Sequence, residues 1–221
     1  MKKINDEAIV LKRVNYGEKD RILNVITMNN GRQALFAKSV RASKSRLAGG
    51  VELMTVSNIS FIDTNKDIKK LISADMKIYF EDIIKDMKRL DLAFVGLKLI
   101  DKITVETAES YHYVSLKTFL IYLNKPQFNS KVVDIWFGLH VLFLAGLLSE
   151  LLAVGEGNNK YSFDYEKQIF ISDSNGSLEE NDIKFMRLLA KNSTPINFEN
   201  LPANIEVIQN IKNHLVGFGF D

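Results

Sequence analysis

The side chains of this 221-residue chain that could carry proton or metal chemistry are few and scattered. Its imidazoles are His112, His140 and His214, with no ligand-like spacing between them. There is no cysteine, so neither a disulfide framework nor a thiolate zinc site can form. No GxxxxGK[ST] or GxGxxG loop is present to cradle a phosphate. A two-metal nuclease needs several convergent carboxylates, yet Asp63 and Asp67 fall in a turn and read as solvated. His140 sits in the most apolar stretch of the chain and reads as a core residue. The sequence therefore points away from an enzyme, and no cofactor is expected.

The residues that do stand out are cations. KSVRASKSRLAGG, residues 38–50, holds Lys38, Arg41, Lys44 and Arg46 with no acid among them, and no Asp or Glu occurs between Asp20 and Glu52. Arg21 and Arg32 add positive charge just upstream. Such a segment can follow a phosphate backbone and gain affinity by releasing counterions. Small residues such as Ser39, Ala42, Ser43 and Ala48 allow close approach and offer further donors. The plain alternative is a solvated loop that joins two strands. The charge of +2 also hides an asymmetry: residues 1–80 carry 15 Lys and Arg against 8 Asp and Glu, whereas residues 81–221 carry 14 against 19. A basic half joined to an acidic half suggests a polyanion for the first and a different partner for the second.

The elements that would position these residues change type along the chain. AIVLK (8–12), RILNVIT (21–27), RQALFAK (32–38), LMTVSNISFI (53–62) and IKKLISADMKI (68–78) read as five short strands, with Asn30-Gly31 as a hairpin signal. Five strands in so short a span suit an OB-fold-like barrel, and a half-open sandwich would show a similar pattern. Beyond Tyr79, Phe80, Ile83, Met87, Leu90, Phe94 and Leu97 recur at helical spacing, which predicts a helix to about 104. Further helices are expected over about 110–124, 130–153, 178–191 (opened by a Ser177/Glu180 capping box) and 204–216, with Gly155-Glu-Gly157 closing the second of these. A hairpin is expected over about 160–172. The uncharged run 135–149 is short of the ~20 residues that span a bilayer and reads as a central buried helix. The N-terminus lacks the pattern of a signal peptide. The expected fold is thus α+β and two-domain: an OB-fold-like nucleic-acid-binding barrel over 1–79, then a helical bundle over 80–221 with a small β-hairpin insertion.

Period two places Arg32, Ala34, Phe36 and Lys38 on one face of their strand. If that face is outside, Phe36 is a stacking platform flanked by cations, as single strands favour; if it is inside, Phe36 is core. Tyr16, before Gly17, is a second candidate for stacking.

EAIVLKRVNYGEKDRILNVIT, GRQALFAKSVRASKSRLAGG and KLISADMKIYFEDIIKDMKRLDLAF together carry a resemblance to the bacterial recombination mediators of the RecO family. The matching features are the EAIVLK strand, the YGE-D-RI loop and strand, the T-x3-G turn, the K-x5-KSRLAG loop and the L-x2-A-D/E pattern ahead of the first helix. That resemblance implies an N-terminal OB-fold and a helical C-terminal domain. It further implies binding to single- and double-stranded DNA, annealing of complementary strands, and loading of RecA onto strands coated by single-strand-binding protein (SSB), with RecR and the acidic SSB C-terminal tail as partners. No catalytic residues come with it. Arg32, Lys38, Arg41, Lys44 and Arg46 carry over as DNA contacts; Arg21 and Phe36 join them on the charge and face arguments above. Lys117, Lys125 and Lys131 are candidates for the rim of a tail pocket. Many members hold a cysteine-ligated zinc after the long apolar helix; GEGNNKYSFDYEKQIFIS here keeps a plausible hairpin in its place without any cysteine.

The leading expectation is a non-enzymatic DNA-binding recombination mediator of the cytoplasm, associated with the nucleoid and not with a membrane. An RNA-binding OB module and a protein-interaction scaffold remain open alternatives, with a hydrolase the weakest.

Overall fold

The computed structural model describes residues 2–63, 66–104, 109–148, 151, 153–154, 160–197 and 201–218. Its packing divides the chain into two compact units, 1–125 and 126–221. The strand region ends at Tyr79, and the helices from 81 to 123 pack with it in the first unit.

Five strands form that region: β1 (Lys2–Tyr16), β2 (Asp20–Thr27), β3 (Gly31–Ala37), β4 (Thr55–Asp63) and β5 (Ile68–Tyr79). They close into a barrel in the order β1-β2-β3-β5-β4. β3 and β5 run parallel, and every other neighbouring pair is antiparallel. This closed five-stranded arrangement matches the OB-like barrel expected from the strand count. Alternation fills the inside with Ala8, Val10, Leu23, Val25, Leu35, Ala37, Ile59, Phe61 and Leu71. At the first hairpin, Gly31 adopts the left-handed φ of 63° that a residue with a Cβ disfavours. Asp6 secures the same turn by accepting from Asn29 N (3.1 Å) and from the amides of Asn29 (2.9 Å) and Asn30 (2.6 Å).

One irregularity shapes the barrel's outside. Val10 pairs with Val25 and Lys12 with Asn24, which are neighbours on β2, so Leu11 is an extra residue bulged out of the ladder. Lys12 thereby points outward beside Asn24 while Leu11 is buried.

Segment 38–54 is anchored at both ends. Val40, Val51 and the partly buried Leu47 join the barrel core. Asp20 Oδ1 accepts from Ser39 N at 2.6 Å, and Lys19 O accepts from Arg41 N at 2.9 Å. Gly50 lies in a short 3-10 turn (Gly49–Val51) against β5, where a Cβ would stand 2.2 Å from Ala74 O. Only glycine permits that backbone approach.

The expected helix after Tyr79 is broken into α1 (Glu81–Lys85) and α2 (Met87–Ile103). Asp86 is extended and caps α2, accepting from Lys88 N (2.9 Å) and Arg89 N (3.2 Å). The break rotates the buried face to Arg89, Ala93, Gly96, Leu97, Leu99 and Ile100. It leaves Met87 at 70% and Phe94 at 39% exposure, although both belong to the apolar stripe read from the sequence. α2 packs across β1, and α3 (Ser110–Leu123) lies on β1 and β2. Arg89 links the two helices by donating to Leu123 O (2.6 Å), where a cation complements the end of α3.

In the second unit, α4 (Ser130–Leu144) is buried nearly all round and packs on α5 (Glu180–Lys191) and α6 (Ile205–Phe218). It is shorter than the expected 130–153. Gly146, at φ 69°, turns the chain, and Leu147 N and Leu148 N bond back to Leu142 O. Gly155-Glu-Gly157 lies outside the described residues. The hairpin appears as β7 (Lys160–Asp164) and β8 (Ile169–Ser172), extended by β6 (Ala153–Val154) parallel to β8 and β9 (Leu178–Glu179) against β7. Pairing through Glu179 keeps the chain extended, so α5 begins at Glu180. Its N-terminal contact is Asp182 Oδ2 accepting from Glu179 N (2.8 Å), not the expected Ser177/Glu180 box. Phe163 and Phe170, with ring centroids 5.0 Å apart, pack the hairpin. Inside the unit, Lys212 and Asp134 pair at 2.5 Å with side chains only 3% and 4% exposed, and Gln209 adds a bond to the same carboxylate at 2.7 Å.

Candidate nucleic-acid interface

The register decides which way RQALFAK faces. Leu35 and Ala37 are fully buried in the barrel, so Arg32, Ala34 and Phe36 lie on its outside. Across that surface Val14 pairs with Ile22, Ile22 with Phe36 and Phe36 with Lys70, and pairing keeps all four on one face. The next row is Lys12, Asn24, Ala34 and Ile68. Tyr16 ends β1 and is 57% exposed; its ring meets Phe36 edge-on, with centroids 5.8 Å apart and planes at 86°. The result is a partly open apolar and aromatic row with Lys12 and Lys70 beside it.

The loop brings further cations to this end of the barrel. Lys38, Arg41, Lys44 and Arg46 are all exposed, while Val40 among them and Leu47 and Val51 after them plug the core. The loop is therefore a seated rim that turns its charges outward. Arg41 also reaches Gly17 O at 3.5 Å, next to the β1–β2 turn.

Two of the expected contacts already have partners within the protein. Arg32 donates from Nε (3.0 Å) and Nη2 (2.7 Å) to Asp101 Oδ1 on α2, so its charge is already matched. Arg21 pairs with the core residue Ala37 and so lies on the inner side of β2, at the barrel mouth. It donates to Asn15 Oδ1 at 3.2 Å and stands 3.9 Å from Glu52, which also binds Arg13.

Each of the three lysines considered for a partner pocket has its own contact. Lys117 on α3 bonds Glu7 at 2.5 Å, Lys125 lies over the Tyr122 ring at 4.4 Å, and Lys131, in the second unit, pairs with Glu206. Glu7 is itself a junction, accepting from Lys117 and Lys77 (2.5 Å each) and from the Tyr113 hydroxyl. Burial opposes its ionisation, yet these three bonds outweigh it and hold its pKa down at about 2. Burial, followed by the Glu7 charge, pushes the Tyr113 phenol up.

The histidines hold structural positions. His112 Nδ1 meets Glu109 N (3.0 Å) at the start of α3. His140 stacks on Trp136 and bonds Ala190 O at 2.9 Å; burial lowers its pKa. His214 packs edge-on to Tyr165. Among the described residues no group of three or more His, Cys, Asp or Glu side chains could hold a metal ion. The zinc that the resemblance implies finds no thiolates here. No helix among the described residues is long and apolar enough to cross a membrane.

Lys12, Val14, Ile22, Ile68 and Lys70 were not singled out by sequence reasoning. The signal was the outward apolar residue near each strand end: Val14 is 47% exposed, and Ile68 is also open to solvent. Reading it required the strand ends and the Leu11 bulge.

A closed OB-type barrel with a basic, seated β3–β4 loop, followed by helices and a small second sheet, defines the class of protein. Residues 1–80 match the family described as recombination protein O, N terminal. The chain is 38% identical over 120 residues to the DNA repair protein RecO of Thermodesulfovibrio yellowstonii, a match covering 54% of this chain and 48% of that protein. It is 29% identical over 123 residues to the RecO of Acetivibrio thermocellus, covering 56% and 49%. In these matches the chain spans about half the length of its relatives. A match at 24% identity to the RecO of Alkaliphilus metalliredigens covers 95% of this chain and 85% of the relative. The chain is thus similar to RecO proteins over its barrel and, at lower identity, over most of its length.

Proposed function

We propose that this chain is a non-enzymatic recombination mediator that binds single- and double-stranded DNA through the outside of its barrel. In this reading it anneals complementary strands and, with RecR, helps load RecA onto SSB-coated single strands. One observation carries the DNA part: the apolar row Val14–Ile22–Phe36, with Tyr16 beside it, is bordered by Lys12, Lys70 and the exposed loop cations. Bases have apolar and aromatic surface to stack on, and phosphates have cations on either side. Neutralising two polyanionic strands on one surface lowers their repulsion enough for base pairing to proceed. Similarity to relatives named DNA repair proteins supports the same direction. An acidic SSB tail reaching Lys117 or Lys131 would compete with Glu7 or Glu206. The site of action would be the nucleoid in the cytoplasm.

The test is single-stranded DNA binding by fluorescence anisotropy over a salt series, for wild type and Arg41→Ala/Lys44→Ala/Arg46→Ala. Each lost phosphate contact should flatten the plot of log K against log salt by about 0.7. An unchanged slope and affinity would remove the loop from the interface. RNA bound as tightly as DNA, with no annealing of DNA strands, would replace the substrate in this reading.

A further inference from the structure

Beyond the barrel surface, a groove of about 530 Å³ runs between β1 and α2. Its apolar lining comes from the bulged Leu11, from Leu53 and from Leu97, and Phe94 stands at its side. Lys12, Arg13, Lys98 and Lys102 line it beside the carboxylate of Asp101, which Arg32 already engages, while Arg13 is held by Glu52. The groove therefore suits a ligand that is anionic along its length and carries flat apolar groups.

The groove is continuous with the barrel surface described above. Lys12 belongs to both, lining the groove and pointing outward in the row next to Val14–Ile22–Phe36. The C-terminal end of α2 rests on the same sheet, since Asp101 contacts Asn24 (3.4 Å) on β2 and Arg32 on β3. α2 is thus a wall of the barrel's outer face, and a strand leaving that face at Lys12 is already at the groove. We propose that single-stranded DNA continues from the barrel into this groove, with Phe94 as a further base platform and Lys98 as a further phosphate contact. The inference rests on the barrel reading and extends the bound strand onto the helix. Continuity at Lys12 favours a nucleic-acid strand over an acidic peptide, which the same charges would otherwise accept.

Anisotropy with labelled oligothymidylates of about 5 and about 15 nucleotides brackets the span of one OB barrel. It is applied to the full chain, to Lys98→Ala, to Phe94→Leu (which keeps apolar volume but removes the ring) and to the loop triple variant. Both groove variants should bind the short strand as wild type does. On the long strand Phe94→Leu should lose at least about fivefold in affinity, and Lys98→Ala should lower the salt slope by about 0.7. Unchanged long-strand binding in both groove variants, with the triple variant still impaired, overturns the inference and leaves the barrel reading intact. Absence of binding by wild type to either strand overturns both. Groove variants that lose an acidic, aromatic-ended peptide but keep the long strand give the groove to a protein ligand and overturn the inference. Photocrosslinking of a 5-iodouracil strand to the wild-type chain adds a readout free of folding effects: a DNA adduct on Phe94 supports the path, and adducts confined to the barrel overturn it.

Discussion

Arg32 and Asp101 stand 69 positions apart, yet the guanidinium donates twice to one carboxylate oxygen, joining β3 to the end of α2. A cation so engaged is a poor phosphate ligand, because DNA would have to displace a partner already in place. Arg32→Ala should therefore lower stability by about 1 kcal/mol, the scale of a partly exposed charged hydrogen bond. The salt slope for DNA should stay unchanged, whereas Lys38→Ala should reduce it by about 0.7. Urea denaturation beside the anisotropy series separates the two effects.

Gly50 seats the basic loop. A methyl group there would meet the Ala74 carbonyl oxygen at 2.2 Å, and backbone must move to accept it. Gly50→Ala is expected to cost about 1–3 kcal/mol, read as a lower urea midpoint. Because the loop cations ride on that seat, DNA affinity should fall as well, with every charge still present. Gly49 faces open space, so Gly49→Ala should be far milder.

Glu7 should govern part of the acid limb of stability. Its folded pKa, about 2, lies below its ordinary 4.5, so its contribution is whole above about pH 4.5 and is lost as pH falls toward 2. With the Lys77 arm open to solvent, that contribution is on the order of 1–2 kcal/mol. Stability measured by denaturant across this window should fall more steeply in wild type than in Glu7→Gln. Parallel curves would mean that Glu7 does not carry the linkage.

The buried Asp134–Lys212 pair should respond non-additively. Lys212→Ala leaves an uncompensated carboxylate in the core of the second unit, and Asp134→Ala leaves a buried ammonium. Each is expected to cost about 3–5 kcal/mol. Asp134→Leu/Lys212→Met removes both charges and should be much less damaging than the sum of the single changes. Thermal unfolding of the three proteins gives the comparison.

What could be read from sequence followed from how local each signal was. The five strands, the Asn30-Gly31 turn and the apolar α4 are written in short windows, and all are present. The break at Asp86 is also local, but its capping preference competed with an apolar stripe that ran straight through it, and so Phe94 was expected inside. β1 extends beyond AIVLK at both ends because polar residues there still find ladder partners on β2 and β4. Arg32 shows the limit most plainly. Its type and strand position mark it as an expected phosphate contact, and its engagement by Asp101, far along the chain, has no local signal. For Phe36 the residue type favoured the inside while the flanking cations suited the outside, and burial of Leu35 and Ala37 resolves it toward the outside.

The extra residue in β1 has a consequence for how this protein can vary. Because Leu11 stands outside the ladder, the hydrogen-bonding scheme of the barrel and the floor of the α2 groove are encoded by different positions. Removing Leu11 would leave Val10 opposite Val25 and Lys12 opposite Asn24, with every later side chain on its present face. Such a deletion would take out the floor and spare the frame. The groove is in that sense a detachable accessory, open to gain, loss or retuning by single-residue insertion or deletion without rebuilding the surface beside it.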